Sequence, residues 1–545
     1  MLFDQLKKNL SSTLKKFNWT EISFELWVSK NVSNAHFMSN ILLLIAQKYN
    51  LKIVDIFPKI SSFLLKNYKE LENITLQNGF LNLFVKKFFL NNIIQEILLK
   101  KNDFGRLFLD EKVVHYEWVS ANPTGYLHLG HARNVFVGQA ITKILAFVGY
   151  RVVREFYIND HGNQIYQLGR SVFFHYQKLL GLNPSSFSEL YLNKEVEFAA
   201  QKALKIFGKT FSNVSFIDVL DVQKKFILFA KDFFLNKMKV DLNSFGVTFD
   251  VWFSEKTLYQ NNNLKHFIER LKLLKAVYSK EGALWFQATK YGSDQDFVLI
   301  KSNQLPTYFT GDIMYHNHKF TRGYDQYIDL FGVDHHSHYL KIKSGLKALG
   351  WDVNKFNVDL LQMVKIVQDG KTLKISKRKG TATSLIELVK VAGLDFLRFM
   401  LVSRQKQTKF VFDLNLIHTN NSQNPFFYVQ YAYARSCQLL KKVSFDNKEC
   451  LNDYSGITSI YEQNLILSLH QFKIFLKNAA VLREPQILVS YALNLSKNFH
   501  ILYEKVTILN INLSLQNQRL QLIQAFQQVL KNTLDLLDIK PKSRM

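Results

Sequence analysis

The stretch from Ser120 to His131 constrains this chain more than any other. An apolar, β-branched run at 113–119 precedes it, and a long helical pattern at 132–148 follows. A strand therefore ends, Asn122, Pro123, Thr124 and Gly125 turn the chain, and a helix begins at Gly130-His131. The unpaired N–H groups and the macrodipole of a helix start favour a phosphate. Gly130 allows a ligand to lie close to the backbone. His128 and His131, three apart, can act on one ligand from one side. A strand–helix turn with two incidental histidines fits the four-residue pattern equally well.

The pattern around this junction is α/β. Residues 151–158 read as a strand ending in Asn159-Asp160-His161-Gly162-Asn163-Gln164, and ligands of open α/β sheets bind at such carboxyl ends. Residues 167–245 read as a mostly helical insertion. Segments 283–286 and 297–300 read as an antiparallel pair, followed by a helix after Thr310-Gly311-Asp312, for which Asp312 could serve as N-cap. A short strand at 327–331 runs into Gly332-Val333-Asp334-His335-His336-Ser337-His338. Three histidines in that run invite a metal, but no acidic or cysteine ligand set accompanies them, and an Asp after a strand suits a ribose hydroxyl better. A strand at 362–367 leads to the basic loop Asp369 to Thr381, which suits a triphosphate or, on its cations alone, a solvated turn.

Residues 1–106 read as a separate α+β domain, with strands at 53–57, 72–76 and 79–84 and a turn at Asn78-Gly79. RNA binding and simple packing both fit it. From 413 the strands stop and amphipathic helices run to about 537, an all-α helical bundle. The formal net charge of +26 points to a polyanion such as nucleic acid, although a Lys/Asn/Phe/Ile-biased genome gives the same composition. Two cysteines, Cys437 and Cys450, exclude a disulfide framework and a multi-cysteine zinc site, so no protein-held metal is expected. No signal-peptide plan and no run of ~18 apolar residues stand out, so no membrane span and a cytoplasmic location are expected.

Two motifs gain weight as a pair. His128-Leu129-Gly130-His131 and Lys374-Ile375-Ser376-Lys377-Arg378, at opposite ends of one α/β domain, resemble the two signatures of class I aminoacyl-tRNA synthetases. The flanks Glu117 to Gly125, Asn159-Asp160-x-Gly162-Asn163-Gln164, Tyr308-x-x-x-Asp312, Tyr428 to Arg435 and the terminal Pro541-x-Ser543-Arg544-Met545 resemble the arginyl-tRNA synthetase family over nearly the whole chain. Leu129, Ile375, Arg378, His161 and Ser337 depart mildly from that pattern.

The resemblance implies a Rossmann-type class I catalytic domain at 107–412. It also implies an N-terminal tRNA-contacting domain at 1–106 and a helical anticodon-binding domain at 413–545. It implies activation of L-arginine by ATP with Mg²⁺, transfer to tRNA(Arg), and a monomer with no membrane partner. Catalytic roles would fall to His128, His131, Lys374 and Lys377. ATP would meet Gly130, Gly332, Asp334, His335 and Ser376. Arginine would meet Glu117, Ser120, Asn122, Tyr308 and Asp312, since a guanidinium calls for carboxylates and other acceptors. Tyr431 and Arg435 would touch tRNA. A small-molecule nucleotidyltransferase and a non-catalytic RNA-binding paralogue are the rival classes. The helical C-terminal domain and second lysine loop count against the first, and the intact His128, His131, Lys374 and Lys377 against the second.

Overall fold

The computed structural model describes residues 2–19, 21–29, 32–107, 111–372, 384–442 and 453–545, without the side chains of residues 335–337. Two compact units form: Met1–Leu107 with Thr419–Leu482 and Gln486–Met545, and Phe108–His418 with Arg483–Pro485.

The chain begins with α1 (Leu2–Lys16), β1 (Leu26–Val28), β2 (Phe37–Ser39), α2 (Ile41–Tyr49), α3 (Ile53–Asn67), β3 (Leu71–Gln77), β4 (Phe80–Val85) and α4 (Lys87–Lys100). Its strands pair antiparallel in the order β1-β2-β4-β3. Asn78 and Gly79, at φ 50° and 80°, make the tight turn between β3 and β4. Residues 53–57 are not a strand but the start of α3. The β-branched cluster there is short, whereas Ile56, Ile60 and Leu64 continue a helical stripe that buries one face.

The second unit follows as β5 (Val113–Glu117), α5 (Leu129–Phe147), β6 (Arg151–Ile158), α6 (Asn163–Leu179), α7 (Lys194–Phe207), α8 (Leu220–Ser244) and β7 (Val251–Ser254). Next come α9 (Asn263–Leu273), β8 (Val277–Lys280), β9 (Ala283–Phe286), β10 (Phe297–Ile300), α10 (Tyr308–Thr321), β11 (Gln326–Gly332), α11 (His336–Ala348) and β12 (Phe356–Leu361). The unit closes with β13 (Val364–Gln368), β14 (Lys371–Thr372), α12 (Leu385–Ala392), α13 (Leu394–Val402) and β15 (Phe410–Asp413). Five parallel strands form its central sheet in the order β12-β11-β5-β6-β7. The strand order reverses between β5 and β11, so a crevice opens at their carboxyl ends. Helices α6, α7 and α8 bury a core of their own around Phe173, Tyr176, Phe226 and Phe234.

The first unit is completed by α14 (Pro425–Lys441), α15 (Ile460–Leu482), α16 (Gln486–Lys505) and α17 (Leu513–Leu536). Within this unit Asn91 Nδ2 donates to the Tyr454 carbonyl (2.9 Å) and Asn532 Nδ2 to the Lys101 carbonyl (2.9 Å). By length and composition α15 could cross a membrane, which the sequence reading did not anticipate, but 61% of its apolar window is buried inside the protein. Its packing is that of a core helix in the bundle.

Candidate active site

A row of acids dominates the centre of the parallel sheet. Asp329 on β11, Glu117 on β5 and Glu155 on β6 stand directly opposite one another in register. Like charges so paired repel, and all three side chains are buried. The compensation comes from one face of α10 and its C-cap, where Tyr315, Lys319 and the capping Arg322 are spaced four and three apart. Lys319, itself fully buried, donates to Glu117 Oε2 and to Asp329 Oδ1 (2.7 Å). Arg322 forks onto Glu155, with Nη2 3.1 Å from Oε1. The Tyr315 hydroxyl lies 2.8 Å from Glu117 Oε2 and 2.6 Å from Glu155 Oε1, so one proton serves two carboxylates. His316 places Nε2 2.8 Å from Asp329 Oδ2 and Nδ1 2.7 Å from the Asp312 carbonyl, so both ring nitrogens face an acceptor.

These cations set the charge state of the row. Burial alone would raise the Asp329 carboxyl, but Lys319 and His316 outweigh it and hold it at about 2. Burial likewise opposes ionisation of Glu155, and His115 and Arg322 prevail, keeping it well below the usual carboxylate range. The Lys319 ammonium is raised in turn: Asp329 and Glu117 more than offset its burial.

Above this row, at the carboxyl ends of β5 and β11, opens a pocket of about 490 Å³. Five residues singled out in the sequence line it: Glu117, Ser120, Tyr308, Asp312 and Gly332. Its entrance loop is strained, because Val119 and Ser120 take φ of 68° and 40°, rare for any residue but glycine and costly for a β-branched one. Asn134 holds that loop: its Oδ1 accepts from Val119 N (2.7 Å) and its Nδ2 donates to the Leu330 carbonyl (3.3 Å). Ser120 Oγ donates to Glu117 Oε1 (2.8 Å) and accepts from Tyr157 N (3.1 Å), so it braces the carboxylate and the neighbouring strand. Asp312 is not the helix N-cap considered from the sequence. Helix α10 begins at Tyr308, and Asp312 sits beyond its first turn, pairing through Oδ2 with His338 Nε2 at 2.8 Å. Asn122 stands outside the pocket lining, its Nδ2 donating to Gln164 Oε1 (2.8 Å).

The two histidines of the opening stretch meet at the start of α5. Gly130 N donates to His128 Nδ1 (3.0 Å) and His128 N to His131 Nδ1 (3.2 Å), a reciprocal cap closed by two imidazoles. Their rings stack at 3.9 Å. An accepting Nδ1 leaves the proton of a neutral ring on Nε2, so the hydrogen-bond pattern assigns both rings as Nε2–H donors. Ser384, the N-cap of α12, bridges to His128, and Leu385 N donates to the Leu127 carbonyl (2.8 Å). The chain leaving the basic loop is thereby pinned beside His128. Lys374, Ser376 and Lys377 lie outside the described residues, as does the side chain of His335, while Asp334 is exposed beyond the end of β11.

Sequence reading missed Tyr315, Lys319 and Glu255, and weighed His338 only as a metal ligand. Glu255 opens the 3-10 turn Glu255–Tyr259 after β7. Its burial lifts the carboxyl to about 7, against a hydrogen bond from Tyr157 and with the charges of Asp312 and Asp160 adding to the rise. A folded value above the ordinary 4.5 means that the stability tied to this proton is complete below about pH 4.5 and is lost as pH rises toward 7. Glu255→Gln is expected to be nearly neutral in thermal melts at pH 5 and to stabilise by ~2 kcal/mol at pH 8, allowing for partial exposure. Equal melting shifts at the two pH values would contradict it.

The chain matches three family models in order: "Arginyl tRNA synthetase N terminal domain" at 4–85, "tRNA synthetases class I (R), catalytic domain" at 93–412 and "DALR anticodon binding domain" at 429–545. It is 36% identical to an arginine–tRNA ligase of Shouchella clausii over 86% of this chain and 84% of that one. It is 33% identical to the arginine–tRNA ligase of Mesoplasma florum over 99% of both. The solved structure of the Thermus thermophilus arginyl-tRNA synthetase shares the fold at a TM-score of 0.78 and 19% identity, with full coverage of both chains.

Proposed function

The chain belongs to the arginyl-tRNA synthetase family, and from that premise we propose that it is an arginine–tRNA ligase. It activates L-arginine with ATP and passes the arginyl group to the 3′-terminal adenosine of tRNA(Arg). The observation that carries this reading is the acidic pocket, where Glu117 and Asp312 face a common space backed by Lys319 and His338. A guanidinium, planar and always charged, meets such oriented acceptors as a fork, while the ammonium of lysine leaves some of them unpaired. Tyr308 lines the same pocket and Ser120 acts through Glu117; Asn122, which stands outside the lining and donates to Gln164, is given the α-amino end by the family resemblance alone.

The substrate carboxylate attacks the α-phosphorus of ATP, the bond to the bridging oxygen of the β-phosphate breaks, and pyrophosphate leaves with the electron pair. Catalysis is positioning plus charge stabilisation, with no covalent enzyme intermediate. His128 and His131, as Nε2–H donors at a helix start, hold α-phosphate oxygens beside Gly130. Lys374 and Lys377, with Ser376, take the β- and γ-phosphates. Gly332 at the end of β11, with Asp334 and His335 just after it, seats the adenosine. Mg²⁺ carried on the triphosphate would neutralise phosphate charge there. A ribose hydroxyl of the tRNA end then attacks the arginyl carbonyl, and AMP leaves.

On α14 the Arg435 guanidinium lies 4.5 Å from the rings of both Tyr431 and Tyr503, a charged aromatic platform suited to an unstacked RNA base. A monomer in the cytoplasm, with tRNA as its macromolecular partner and no membrane association, completes the reading. Charging bulk tRNA with each of the twenty amino acids in turn tests it. Arginine alone is expected to be esterified, and strong charging with any other amino acid would sink the specificity.

A further inference from the structure

Asp312 does not face the pocket alone. His338 Nε2 lies 2.8 Å from its Oδ2, and both side chains line the same space. Asp312 belongs to α10 and His338 to the first turn of α11. The packing of these two helices brings them together. A Cβ added at Gly345 would fall 2.8 Å from the side chain of Ile313, so the helices approach at a point where only glycine fits. Gly345 lies seven residues beyond His338, two turns along the same face of α11, and Ile313 adjoins Asp312. The close approach therefore sets the register that aims the imidazole at the carboxylate, with Ile342 buried between.

We infer that His338 is a positioning residue for arginine selection, holding Asp312 by Oδ2 so that the guanidinium meets a carboxylate already aimed. The inference rests on the arginine pocket proposed above. A half-exposed aspartate left to itself loses rotamer freedom when substrate binds. A side chain held beforehand removes that loss from the binding step. Oδ1 of Asp312 and the Glu117 carboxylate then present acceptors at a set separation, which rewards the planar fork of a guanidinium.

The test is arginine-dependent pyrophosphate exchange by the full chain with tRNA present, comparing wild type, His338→Ala, His338→Asn and Asp312→Asn. His338→Ala is expected to raise the arginine KM about tenfold, with kcat and the ATP KM within about twofold. His338→Asn, which keeps a donor, is expected to recover most of the loss. An unchanged arginine KM in His338→Ala overturns the inference. So does an asparagine variant as impaired as alanine, or a loss that falls on kcat. If the alanine variant does not fold, His338→Gln against His338→Leu makes the same comparison of donor kept with donor lost. A raised arginine KM in Asp312→Asn beside an unaffected His338→Ala overturns the positioning role alone. No effect in Asp312→Asn overturns the pocket reading and this inference with it.

Discussion

Lys319→Met is expected to lower stability by ~3–5 kcal/mol at neutral pH, because it strands two buried carboxylates without their cation. Methionine nearly matches the lysine in volume, so little of the loss comes from packing. The ammonium is fully buried, bonded to Glu117 and Asp329, and 4.3 Å from the Tyr315 ring. The pH dependence has a definite sign. Asp329, held at about 2 against an ordinary 3.8, gives the wild type stability that is complete above pH ~4 and lost as pH falls through ~2. Without Lys319 the buried Asp329 carboxylate takes up its proton more readily, so the deficit of the variant shrinks as pH is lowered toward 4. Urea unfolding of both proteins at pH 7.5 and pH 5 measures this. A loss under ~1 kcal/mol at pH 7.5 would show that the ammonium is not the counter-ion the geometry makes it.

Asp312→Asn is expected to raise the arginine KM roughly 30- to 150-fold while leaving the melting temperature within about a degree. Removing one partner of a hydrogen-bonded charge pair costs ~2–5 kcal/mol, and tenfold corresponds to about 1.4 kcal/mol. The lower part of that range applies because the Asp312 side chain is 31% exposed. Asp312 lies at the pocket and outside the buried row, so its charge matters to a bound cation more than to the fold. Steady-state exchange at varied arginine and varied ATP separates the two substrates. An arginine KM that does not move would remove Asp312 from the guanidinium contact, and a matching rise for ATP would indicate a general distortion of the site.

What could be read from the chain and what could not divides along sequence separation. Strands β6, β9 and β10 were delimited residue for residue, since local apolar runs and turns bound them. Residues 53–57 were misread because five residues rich in β-branched side chains fit a strand as well as a helix, and only the stripe reaching Leu64 separates the two. Glu117, Ser120, Tyr308, Asp312 and Gly332 were singled out from short motifs, and the fold gathers them on one pocket. Lys319 and Tyr315 escaped because their importance exists only once Glu117, Glu155 and Asp329 stand abreast. That register joins segments up to about two hundred residues apart. A usable signal was present nonetheless: one acid in each of three apolar strands, and Tyr315, Lys319 and Arg322 at helical spacing. His338 was noticed in the histidine-rich run and weighed there as a metal ligand, because its partner lies on another helix.

The row of acids also bears on the order of folding. Parallel strands pair only after long loops close, which makes such sheets slow to form. Here the three central strands bring like charges face to face as they pair. The charges of Lys319 and Arg322 reach them only when α10 docks with these residues and Tyr315 inward. Sheet closure and helix docking are therefore one cooperative event. The same helix carries Tyr308 and Asp312 to the pocket. The binding site is thus built in the step that completes the sheet, and a catalytic unit with its sheet formed but its pocket unassembled is not a state this chain can rest in.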